Sequence, residues 1–202
     1  MTDRPRSTLA HKLRRRTMLQ ACCGFALGAH AVARGDESDG ALAPPQAGDL
    51  LVFAFGARAG QVIAPDDVVI DAQQILAYPF DPAAQRARDG TRLNQIVVAR
   101  VAIERLAPPT RARAADGIVA YSGVCTHTGC DVTDWRDAER RFKCPCHESE
   151  FDPADGARVV GGPAPAQLAA LPLAIVDGKL TVAGPFDGTV GFMQPGLDGL
   201  SP

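Results

Sequence analysis

Two short boxes of cysteine and histidine in the second half of the chain constrain this sequence more than any other feature. The first is Cys125-Thr126-His127-Thr128-Gly129-Cys130, and the second is Cys144-Pro145-Cys146-His147-Glu148-Ser149-Glu150-Phe151-Asp152. Sixteen residues separate His127 from Cys144. Each box offers a thiolate and an imidazole, so two neighbouring loops can deliver Cys125, His127, Cys144 and His147 to one metal centre. Such a chain needs a scaffold that holds the two loops side by side.

The rest of the chain reads as that scaffold. Its 202 residues suit one ordinary domain with appendages. Sixteen prolines and twenty glycines favour many turns and short strands over long helices. β-type runs cover Leu50–Phe55, Val68–Ile70, Gln74–Tyr78, Asn94–Ile103 and Ile118–Tyr121. Leu173-Ala174-Ile175-Val176, Asp177-Gly178 and Lys179-Leu180-Thr181-Val182 spell a hairpin, because Asp-Gly suits the two-residue turn with positive φ. Residues 34–48 have linker composition and are expected to be a flexible tether, with the folded domain spanning 49–202. Arg86–Arg92 and Pro108–Gly117 are polar, arginine-bearing stretches expected to be solvated loops without a function of their own. Trp135 is expected simply to pack.

A zinc site can also use two cysteines and two histidines. The single residue between Cys125 and His127 is tight for zinc-finger spacing, and zinc leaves Cys130 and Cys146 without a role. In combination, C-T-H-x-G-C, C-P-C-H-x-S and the later Gly162-Pro163-Ala164-Pro165 resemble the Rieske iron-sulfur protein family. The resemblance covers roughly residues 118–185 and is to the disulfide-containing branch, found in cytochrome bc complexes and some periplasmic oxidoreductases. It implies an all-β fold of stacked antiparallel sheets, with a cluster-binding subdomain near 123–165 inserted into a base. It also implies one 2Fe-2S cluster, with Cys125 and Cys144 on one iron and His127 and His147 on the other. Cys130 and Cys146 match the positions that form a loop-tying disulfide in this branch, and Gly162 and Pro163 match a third loop packed over the cluster.

Four further positions bear on the cluster's potential through this resemblance. Ser149 matches a serine whose hydroxyl donates toward a bridging sulfide and favours the reduced state. Phe151 stands where many quinol-oxidising members carry a tyrosine, so one donor is missing. Glu148 replaces the usual glycine, and its carboxylate is expected to oppose electron uptake. Thr128 replaces a leucine that faces the quinone pocket. These departures point from a quinol oxidase toward an accessory small subunit.

The amino terminus carries a separate message. Residues 1–33 hold six of the basic residues (Arg4, Arg6, Lys12, Arg14, Arg15 and Arg16) against Asp3 alone. Arg15-Arg16-Thr17-Met18-Leu19, the apolar run to Ala33 and the small-residue site Ala31-Val32-Ala33 resemble a twin-arginine signal, the address of proteins exported already folded. Cleavage is expected after Ala33, with an uncleaved signal acting as a membrane anchor as the alternative. The apolar stretch Thr17–Ala33 is short for a spanning helix and contains Gln20 and His30. Cys22, Cys23, His11 and His30 belong to this segment and have no expected ligand role.

Beyond residue 33 there are 15 basic and 22 acidic residues, and this acidity argues against nucleic-acid binding. The chain is thus expected to be a periplasmic electron-relay subunit rather than a complete enzyme. Its expected partners are a catalytic or membrane subunit and a cytochrome c-like acceptor, with quinol as a further donor. The alternatives are the iron-sulfur subunit of a quinol:cytochrome c reductase and, from another class, a stand-alone redox sensor or structural metal module.

Overall fold

A computed structural model describes residues 37–192, so the segment read as an export signal lies outside the described residues. The strands are β1 Leu50–Phe53, β2 Ile75–Asp81, β3 Arg86–Ala87, β4 Ile96–Arg100, β5 Ile118–Ser122, β6 Asp134–Arg136, β7 Arg141–Lys143, β8 Glu150–Asp152, β9 Arg158–Gly161, β10 Ala170–Leu171, β11 Leu173–Val176 and β12 Lys179–Val182. Two short helices, α1 Glu37–Leu42 and α2 Pro108–Arg111, accompany them. The larger sheet runs β10-β5-β4-β2-β1-β12-β11, with β3 paired to β2, and the smaller runs β6-β7-β8-β9. Every strand pairing is antiparallel, as expected for the all-β class. In sequence, the small sheet lies wholly between β5 and β10.

Strands β4 and β5 carry the construction because both of their faces are buried. On one side Ile96, Val98, Ile118 and Ala120 join Leu51, Ile63, Leu171, Leu180 and Val182 in one core. The alternate residues Val97, Ala99, Val119 and Tyr121 face a second core containing Phe142, Phe151, Cys125 and Cys144. A strand buried on both faces has no polar alternation, hence the unbroken apolar run in its sequence. Tyr121 donates to the Pro153 carbonyl at 2.8 Å and meets Phe142 edge-on at 6.0 Å between ring centroids, fastening the small sheet to the large one.

The hairpin forms as expected, with Asp177 at φ +49° and Gly178 at φ +74°. Two local expectations are corrected. Residues 37–48 are bonded to the body: Gly90 N–H donates to the Ala41 carbonyl at 3.0 Å, Asn94 Nδ2 to the Ala43 carbonyl at 2.7 Å, and Gly48 N–H to Val182 at 2.9 Å. Within the stretch read as a solvated loop, Arg88 is 5% exposed. It donates through Nε and Nη2 to Asp49 at 2.7 and 3.1 Å, and through Nη2 to Asp81 at 3.1 Å. Such a buried cation is retained because it is paired. This pairing closes the start of β1 onto the β2–β3 hairpin.

Candidate metal centre

The two boxes form loops of one design. Loop one follows β5: Cys125 N–H donates to the Cys130 carbonyl at 2.8 Å, and Gly129 N–H to the Cys125 carbonyl at 3.0 Å. Loop two joins β7 to β8: Cys144 N–H donates to the Ser149 carbonyl at 2.9 Å, and Glu148 N–H to the Cys144 carbonyl at 3.1 Å. Each is a six-residue turn whose fifth residue has left-handed backbone, Gly129 at φ +78° and Glu148 at φ +61°. Glycine takes this conformation without strain, whereas a side chain there costs about 1–2 kcal/mol.

Glu148 does not stand as an isolated carboxylate. Lys143 Nζ lies 2.6 Å from its Oε2, so the expected opposition to electron uptake is offset by an adjacent cation. Lys143 occupies the last position of β7, and nothing in the spacing of box two marks it as the partner.

A disulfide joins Cys130 to Cys146 across the two loops, with Cα atoms 6.5 Å apart. The Sγ atoms of Cys130, Cys144 and Cys146 lie within 4.8 Å of one another, but the two in the disulfide offer no thiolate. Cys125 and Cys144 are 1% and 2% exposed and have no disulfide partner among the described residues. Burial pushes the Cys144 thiol up, and the neighbouring Cys125 thiol adds to the shift. Adjoining buried sulfurs of this kind become thiolates only beside a compensating positive charge, which a metal supplies.

The rings of His127 and His147 meet edge-on with centroids 4.6 Å apart. His127 Nδ1 is buried and has no hydrogen-bond partner among the described residues. A buried imidazole nitrogen without a partner and a second imidazole against its ring, on the same two loops as two free buried sulfurs, make a donor set that fits an iron-sulfur group. His147 lies at the exposed tip of loop two, and His127 is half-buried.

A third loop closes the arrangement. Gly162 has φ +78° and sits so close to loop two that a Cβ there would lie 2.5 Å from Ser149 Cα. Ala164 N–H donates to Ser149 Oγ at 3.1 Å, and Thr126 Oγ1 donates to the Ala166 carbonyl at 2.5 Å. The loop is therefore stitched to both boxes, while Pro163 faces solvent. Ser149 is fully buried and accepts from Ala164, leaving its own proton free to donate elsewhere. Phe151 is fully buried and registers opposite Phe142, in the same core as Cys125 and Cys144.

Residues 85–172 match the Rieske [2Fe-2S] domain family. The chain is 36% identical over 136 residues to the cytochrome bc1 complex Rieske iron-sulfur subunit of Streptomyces lividans, covering 64% of this chain and 78% of that one. It is 48% identical over 83 residues to a putative respiratory nitrate reductase subunit Rieske of Haloferax mediterranei, covering 41% of this chain and 36% of that one. It thus spans most of the first relative but little more than a third of the second. Among solved structures, the plasma membrane Rieske protein of Synechocystis PCC 6803 aligns with TM-score 0.35 and 25% identity, over 55% of this chain and 85% of that one. The chain belongs to the Rieske [2Fe-2S] family, and its cofactor is a 2Fe-2S cluster.

Proposed function

We propose that Cys125 and Cys144 ligate one iron of the cluster and His127 and His147 the other, and that the chain is the electron-relay small subunit of a periplasmic oxidoreductase. The observation that carries the ligand assignment is that two loops tied by the Cys130–Cys146 disulfide each present one free buried sulfur and one imidazole, the two rings in contact and His127 Nδ1 buried without a partner among the described residues. When bound, the cluster takes up and releases one electron at a time, at a potential above that of all-cysteine ferredoxins because neutral imidazoles replace two thiolates. The protein's own residues hold the two loops together through the disulfide, exclude water from the sulfur side and leave His147 at the surface. That surface imidazole is the contact point for a catalytic subunit or quinol on one side and a cytochrome c-like acceptor on the other.

The likeness to the nitrate reductase Rieske subunit supports the accessory-subunit reading. The longer match to the bc1 subunit favours a second reading, the iron-sulfur subunit of a quinol:cytochrome c reductase. Affinity isolation of the native protein with its bound partners separates them. A molybdenum-type catalytic subunit supports the first and a cytochrome b the second, while recovery of the chain alone argues against both.

Export is proposed to follow the twin-arginine route, from Arg15-Arg16 ahead of the apolar run. Changing both arginines to lysine is expected to leave cluster-loaded protein in the cytoplasm; undiminished periplasmic accumulation refutes the route. Among the described residues no helix is long and apolar enough to cross a membrane.

Tuning follows from Ser149 and Phe151. A hydrogen bond with a net worth of about 1 kcal/mol moves a one-electron potential by about 40 mV. Phe151→Tyr is expected to raise the midpoint by roughly that amount if the added hydroxyl reaches a ligand sulfur, and Ser149→Ala to lower it by a similar amount. Protein-film voltammetry on proteins with intact EPR line shapes measures both. An unchanged or lower midpoint for Phe151→Tyr refutes this account of tuning.

A further inference from the structure

Loop one is gripped by two side chains from outside both cysteine-histidine boxes. Arg92 Nη2 donates to the Gly129 carbonyl and lies 2.8 Å from Asp131 Oδ1, so one guanidinium holds both the fifth residue of the loop and the residue just after it. On the other side, the ring of Phe192 is packed against Gly129: a Cβ at that glycine would lie 2.9 Å from Phe192 Cδ1 and 3.0 Å from Cε1.

Both grips are firmly founded. Arg92 opens a short 3-10 turn, Arg92–Asn94, where the Thr91 side chain accepts from Leu93 N–H. Asn94 Nδ2 donates to the Arg88 carbonyl at 3.0 Å, and Gly123 N–H donates to the Gln95 carbonyl at 2.7 Å, joining this turn to the base of loop one. The segment that leads to Phe192 is paired to β10 through Asp187 and Ala170, and at Gly191 it passes beside Val124 and Leu93. Arg92 also lines a cleft of about 460 Å³ that it shares with Gly129, Cys130 and Cys146.

We propose that Arg92 and Phe192 are positioning residues for the Cys125–Cys130 loop, holding it at the spacing the cluster requires. The inference rests on Cys125 and His127 being ligands. Loop one is then fixed at Gly129 by Arg92 and Phe192, at Cys130 by the disulfide and at Thr126 by the third loop, whereas loop two is held by the disulfide and the third loop alone among these contacts. Arg92 has a second effect through charge. Its guanidinium balances Asp131, and removing it leaves an anion beside a group that gains negative charge on reduction. Both side chains of the pair are about half exposed, so solvent screens this effect and keeps it small.

The test uses the full cluster-loaded protein and four variants: Arg92→Ala, Arg92→Lys, Phe192→Ala and the double variant Arg92→Ala with Asp131→Ala. Cluster loss to an iron chelator is followed by absorbance, and the midpoint by protein-film voltammetry. Arg92→Ala and Phe192→Ala are each expected to lose the cluster about tenfold faster than wild type. Arg92→Ala also lowers the midpoint by about threefold in electron affinity, or about 30 mV. The double variant restores the midpoint but still loses its cluster fast, because charge balance returns and the grip on Gly129 does not. Lysine at position 92 restores the midpoint and part of the retention. Wild-type loss rates in Arg92→Ala and Phe192→Ala overturn the proposal whatever the midpoint does. Absence of the mixed His/Cys EPR signal from wild type would instead overturn the ligand assignment.

Discussion

Chains carrying His127→Ala or His147→Ala are expected to fold, keep the Cys130–Cys146 bond and show no Rieske spectrum. Fold survival follows from where the imidazoles lie. Neither belongs to the two cores, which are built from aliphatic residues, Tyr121, Phe142, Phe151 and the two buried thiols. Removing either ring takes away a contact with the other ring and leaves the strand register untouched. Loss of the spectrum follows from coordination on the proposed assignment, since an iron deprived of one of its two protein nitrogens is left with an open position and the cluster is no longer held in its native form. Wild type should contain about two irons and two acid-labile sulfides per chain, with a low-average-g EPR signal when reduced. The variants should fall far below that iron content while matching wild type in far-ultraviolet circular dichroism. A wild-type EPR signal from either variant would remove that histidine from the ligand set, and stoichiometric zinc without iron in fresh native protein would argue against iron ligation altogether.

The chemistry was legible because it is local in sequence. Both boxes place their proposed ligands within a few residues, and the structure folds each box into one turn. The Asp177-Gly178 hairpin was legible for the same reason, since two positive φ angles in succession demand those residue types. Features that depend on distant partners were not. Val68–Ile70 has β-branched composition, yet Val69 and Ile70 are exposed, and Ile70 makes a single bridge to Arg100 with no strand around it. Strand propensity alone does not supply a neighbour. The strands of the small sheet are three or four residues long and rich in charge, too short for alternation to show. Arg88 read as solvated because its partner Asp49 lies 39 residues away. Arg92 escaped notice for a similar reason: its contacts are 37 and 39 residues downstream, and an arginine in a polar stretch carries no local mark of them. Glu148 was read from its own charge, while Lys143, which answers that charge, precedes the box.

Gly162→Ala is expected to be the most damaging small substitution in the third loop. Two penalties combine. The position has φ +78°, where a Cβ costs about 1–2 kcal/mol on its own. That Cβ would also lie 2.5 Å from Ser149 Cα, 2.7 Å from the Glu148 carbonyl oxygen and 2.7 Å from Ser149 N. All three are backbone atoms, so no side-chain rotation relieves the clash and the loop must lift from loop two. Lifting breaks the bond from Ala164 N–H to Ser149 Oγ and strains the one from Thr126 to the Ala166 carbonyl. Ser149 then loses the contact that orients its hydroxyl. Gly178 provides the control, having φ +74° and nothing within 4 Å of a Cβ, so Gly178→Ala bears the backbone cost alone. Gly162→Ala should cost about 2 kcal/mol or more beyond Gly178→Ala, lowering Tm by roughly a further 4–8 °C. It should also speed cluster loss to a chelator, which Gly178→Ala should leave at the wild-type rate. Equal melting temperatures and equal cluster retention in the two variants would mean that the third loop is not clamped to the ligand loop, and with it would go the route by which Gly162 supports the metal centre.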